Sequence, residues 1–140
     1  MCSAVTTAPP ALAEQLSYAV AQAIRQKDWS VATDGAQRLL ALAPDRSDSQ
    51  LRALQAYLQA GQVDLAVGVA RASRPNWAGM PRLAQLAMLA LGRAGDRSTA
   101  AEAGQLALQG DPQDLKLAAT VADALTQAGR PSEAIRALTA

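Results

Sequence analysis

The chain has 140 residues, enough for a domain with its own core, and a formal net charge of +1, so no bulk field steers it toward nucleic acid or an anionic membrane. Half of its residues are apolar, mostly Ala and Leu, with no Phe and only Tyr18, Trp29, Tyr57 and Trp77 as aromatics; small side chains let helices approach closely and favour an all-α fold. There is no histidine and one cysteine, Cys2, which excludes Cys–His and Ser–His nucleophile pairs, starves a zinc site of ligands and permits no internal disulfide.

Residues 1–9 read as a disordered tail. The opening "MCSAVTTAPPALAEQ" has no cation before Arg25 and no unbroken apolar run, so it does not read as a signal peptide. Cys2 with its Ser/Ala/Thr tail also resembles the start of a mature bacterial lipoprotein with an added Met, so a cytoplasmic location stands beside the alternative of a lipid anchor in the bacterial cell envelope. The longest charge-free apolar stretch, 83–92, is about half the roughly 20 residues that a spanning helix needs, and no membrane span is expected.

From residue 10 onward, apolar residues recur at helical spacing. The pattern predicts helices near 10–26, 29–42, 47–60, 63–74, 81–94, 98–109, 114–128 and 131–139, four antiparallel pairs. A constant interval governs them. Gly61, Gly95 and Gly129 stand 34 residues apart with Lys27 in the equivalent first slot, and Ala32, Ala66, Ala100 and Ala134 keep the same step. Each glycine follows the last periodic residue of a first helix, where a left-handed conformation ends the helix. The alanine sits where the second helix crosses the first and leaves room for a methyl only. Ala36, Ala70 and Gly104 form a second small series that breaks at Leu138, and Pro44 and Pro112 close the first and third blocks while Ala78 holds that slot in the second.

The local patterns carry little chemistry of their own. "GRAGDRSTA" at 92–100 lacks the phosphate-loop lysine and follows no strand, and the acids fall at loops and helix starts rather than in pairs. Asp45, Asp48, Asp111 and Asp114 stand where a helix dipole favours negative charge. In the connector "RPNWAGMP", Trp77 reads as a plug between repeats, with a partner anchor beside Arg71 and Arg74 as the alternative.

Taken together, the glycine, alanine and proline series resemble the tetratricopeptide repeat family, in blocks 13–46, 47–80, 81–114 and 115–140, the last incomplete. The eleventh position is Ala23, Tyr57, Leu91 and Leu125. The eighth, small in the family, is Val20, Leu54, Met88 and Ala122, and the family's early tryptophan is missing. Another α-solenoid or a plain helical bundle is the competing architecture. The resemblance implies a right-handed α-solenoid whose first helices line a concave groove for a peptide or a partner helix. Carried over position by position, that groove comprises Ser17, Arg25, Leu51, Gln55, Gln59, Gln85, Leu89, Arg93, Asp123 and Gln127. The family's carboxylate-clamp members place Asn and Lys at several of these sites, and none is Asn or Lys here.

Side-chain amides that bond a backbone, with leucines between them, suit a protein or peptide segment of low charge. The expectation is therefore an interaction scaffold with no enzymatic chemistry, no cofactor, no metal and no nucleic acid. A regulatory or targeting part of a larger enzyme, or a lipid-anchored envelope assembly factor, are the alternatives. Ile135 and Leu138 give the last helix an apolar face with no neighbour in the chain, so either further repeats or self-association through the C-terminal repeat is expected.

Overall fold

A computed structural model describes residues 10–139. The expected tail at 1–9 and the lipidation reading of Cys2 lie outside the described residues. Helices α1 (Pro10–Arg25), α2 (Trp29–Leu42), α3 (Ser47–Gln59), α4 (Val63–Ala72), α5 (Pro81–Arg93), α6 (Arg97–Gly110), α7 (Leu115–Gln127) and α8 (Pro131–Thr139) follow one another, with a short 3-10 turn at Arg74–Asn76 between α4 and α5. No strand occurs among the described residues. The boundaries agree with the periodicity to within two residues because glycine, proline and capping aspartates mark almost every end.

The four turns between first and second helices close alike. The backbone N–H groups of Asp28, Gln62, Asp96 and Arg130 donate to the carbonyls of Ala23, Tyr57, Leu91 and Leu125 at 2.9, 2.9, 3.0 and 2.8 Å. This reach over five residues satisfies a carbonyl that the ending helix leaves free, and it requires a left-handed residue just before the donor. Gly61, Gly95 and Gly129 supply it with φ of 76°, 84° and 78°, and in the first turn Lys27 adopts φ 58° with a side chain attached. The acceptors are the eleventh-position residues, all buried, so one repeat position anchors the core and latches the turn.

Aspartates begin three helices. Asp28, Asp96 and Asp114 accept from the backbone N–H groups of Val31, Thr99 and Leu117 at 3.4, 3.4 and 3.0 Å, at the starts of α2, α6 and α7. Asp114 was legible as a helix-start acid. Asp48 lies in the first turn of α3, where its carboxylate takes Arg46 Nε and Nη2 at 3.0 and 2.7 Å.

The chain divides into two compact units, one ending at Gln62 and one beginning at Val63. In the first, α1 and α2 form a hairpin, and α3 packs on both. In the second, α4 packs on α5, α5 and α6 form a hairpin, α6 packs on α7, and α7 and α8 form a further hairpin. The repeated alanines Ala32, Ala66, Ala100 and Ala134 are all buried, as the crossing argument requires.

Bulky eighth positions coexist with close helix crossings because glycines in the facing helices give way. A Cβ added to Gly35 of α2 meets Val20 Cγ2 at 2.7 Å, and one added to Gly104 of α6 meets Met88 Sδ at 2.7 Å and Val121 Cγ2 at 3.1 Å. Trp77 is fully buried in the second unit. Its indole Nε1 donates to Ser73 Oγ at 2.8 Å, and that hydroxyl donates to the Ala70 carbonyl at 2.8 Å. Trp77 is therefore a plug, and burial removes it as a partner anchor.

Candidate functional site

The first helices carry the ten positions expected to line a groove, five in each unit. In the second unit, α5 and α7 flank a hollow of about 260 Å³ lined by Met88, Leu89, Gly92, Arg93, Arg97, Ala100, Thr120, Asp123, Ala124 and Gln127. Leu89, Arg93, Asp123 and Gln127 are thus brought together, while Gln85, half-buried one turn before Leu89 on α5, lies outside the lining. Helical spacing explains the gathering. Residues 89 and 93 on α5, and 123 and 127 on α7, are each four apart and share a face.

Chemically this hollow is mixed. Leu89 is 39% exposed, more than a leucine held only by its own core needs to be. Gln127 Nε2 donates to Asp123 Oδ2 at 3.0 Å, which orients the amide oxygen as a free acceptor and leaves the carboxylate partly satisfied. Arg93 and Arg97 stand on the opposite wall without an ion pair among the described residues. An apolar floor with donors and acceptors at its rim suits an extended or helical polypeptide.

In the first unit, Ser17 of α1 and Gln55 of α3 are joined by a residue that repeat positions do not single out. Arg52 Nε donates to Ser17 Oγ at 3.2 Å, and its Nη1 donates to Gln55 Oε1 at 2.7 Å. Burial first, then repulsion from Arg25, holds the Arg52 pKa below its ordinary value against the opposing pull of Asp48. Arg25 lies exposed about two turns beyond Ser17 on α1. Leu51 is half-buried, and Gln59 is exposed with no side-chain hydrogen bond among the described residues. The signal for Arg52 was its place three residues before Gln55 and seven before Gln59, one face of one helix.

A second, larger hollow, about 670 Å³, lies along α6, α7 and α8. Leu106, Leu108, Pro112, Leu125 and Ala137 line it, with Glu102, Gln105, Gln109, Glu133 and Arg136 at its margin. No set of His, Cys, Asp and Glu able to hold a metal ion occurs among the described residues, and no described helix is long and apolar enough to cross a membrane.

No protein-family model matches the chain, and neither does any curated protein sequence. Solved structures do. A crystal structure of MamA superposes with TM-score 0.75 at 12% identity, covering 91% of this chain and 74% of that one. A MamA RS-1 double mutant gives TM-score 0.75 at 21% identity over 91% of this chain and 71% of that one. MamA 41-end from Desulfovibrio magneticus RS-1 gives 0.73 at 21% identity, over 91% and 72%. What this chain shares with the MamA structures is an all-α helical-repeat fold built from antiparallel helix pairs.

Proposed function

We propose that the chain is a tetratricopeptide-type interaction scaffold that holds a polypeptide segment, mostly uncharged, against its first-helix faces. The observation that carries this reading is the α5/α7 hollow, where four groove positions taken from the repeat register, Leu89, Arg93, Asp123 and Gln127, line one cavity. The likeness in fold to MamA supports a scaffold and supplies no partner. A random-peptide display selection tests it. Enriched peptides should lose about tenfold or more in affinity to Leu89→Glu, which places a charge in the apolar floor, and little to Val31→Glu on the exposed face of α2. Peptides that bind both variants equally would remove the hollow from the reading.

Self-association is a second reading, favoured by one observation. Ile135 and Leu138 are 63% and 59% exposed on α8, an apolar pair three residues apart and therefore on one face.

A further inference from the structure

Half-buried arginines ordinarily keep a carboxylate beside them, because a partly desolvated charge without a counter-charge is costly. Arg52 departs from this. Its two side-chain partners, Ser17 Oγ and Gln55 Oε1, are neutral, and neither Arg52 nor Arg25 forms an ion pair with any described residue. Asp48, one turn before Arg52 on α3, is taken by Arg46 through both of its oxygens. Two neutral acceptors thus fix the plane of the guanidinium without neutralising it.

A guanidinium carries five N–H groups, and Ser17 and Gln55 accept from two of them, which leaves three, all on the two Nη atoms. That end is the fork that matches a carboxylate in bidentate geometry. Arg25, exposed about two turns along α1 from Ser17, adds a second cation to that helix.

We propose that Arg52, held by Ser17 and Gln55, forms with Arg25 an oxyanion site on the α1/α3 face that receives the carboxylate of an acidic side chain. The proposal rests on reading the first-helix faces as a polypeptide-binding surface, and it refines the expected ligand: a segment otherwise poor in charge carries one acid that seats here.

The arginine Nε–H signals of the 15N-labelled protein report on the site directly. N-acetylglutamate α-amide, whose single carboxylate is on the side chain, is added at constant ionic strength, with the glutamine analogue and inorganic phosphate in parallel. Arg52 and Arg25 should shift saturably while exposed Arg82 changes little, and the glutamine analogue should move none of them. Arg25→Gln, a substitution at an exposed position, should weaken the response of Arg52 by about tenfold, and Arg52→Lys, which keeps the charge and loses the fork, should weaken binding at least as much. Equal shifts at Arg52 and Arg82 overturn the proposal. Saturation by phosphate alone overturns the carboxylate assignment. Either result leaves the Leu89→Glu test in the second unit standing, so the two readings fail separately.

Discussion

Lys27 occupies the turn slot that glycine fills in the other three repeats, with φ 58° against 76°, 84° and 78°. A side chain in the left-handed region costs about 1–2 kcal/mol, and glycine returns part of that through its larger unfolded entropy. Lys27→Gly should therefore stabilise the protein by about 0.5–1 kcal/mol, read as a rise in melting temperature of a few degrees. Gly35 tests the opposite constraint. Its missing Cβ lies 2.7 Å from Val20 Cγ2, and valine in a helix has one strongly preferred rotamer, so it cannot swing aside. Gly35→Ala should cost about 1–2 kcal/mol after its gain in helix propensity, and Val20→Ala in the same chain should recover part of that loss. Gly68, in α4 with nothing within 4 Å of an added Cβ, supplies the control: Gly68→Ala should stabilise. The sequence showed that Val20 and Met88 were too large for their position. It did not show that Gly35 and Gly104 compensate, since those glycines lie at different repeat positions and meet their neighbours only across a helix crossing.

At the scale of an element, α6 begins on Asp96, which accepts from the Thr99 backbone and from Arg71 Nη2 at 3.3 Å. Burial pushes its carboxyl up, but the Thr99 hydrogen bonds and Arg71 together outweigh that and hold it below the ordinary range. A depressed folded pKa contributes stability above the unfolded value, about 4, and that contribution fades as pH falls through the folded value. Asp96→Ala should thus cost about 1 kcal/mol at neutral pH, and the difference from the parent should shrink as urea titrations move below pH 4. A difference that stays constant into acid would mean that the carboxylate charge is not what caps the helix. The connector after α4 behaves as a further element. Pro75 stands in the 3-10 turn after α4, Arg74 Nη2 reaches Glu102 Oε1 on α6 at 2.7 Å, and buried Trp77 follows where the next position, Ala78, replaces the repeat proline. Composition marked this stretch as irregular. Only burial decided between plug and anchor.

For the whole molecule, the exposed pair Ile135 and Leu138 on α8 predicts association. Light scattering over rising concentration should show mass above that of one chain, and Ile135→Glu with Leu138→Glu should return it to a monomer. A mass that is strictly monomeric at high concentration would end the reading.

By itself the amino-acid order determined the helices and the step of 34 residues, because glycine, proline, alanine and capping aspartate act within a few residues of where they stand. Local chemistry of that kind survives without any knowledge of the fold. Tertiary structure alone decided which of the expected groove positions meet. Leu89, Arg93, Asp123 and Gln127 share a hollow while Gln85 does not, and Ser17 reaches Gln55 only through Arg52, 35 residues along the chain. Those outcomes depend on how one helix lies against another, and the register between helices is set by the summed packing of many side chains rather than by any motif.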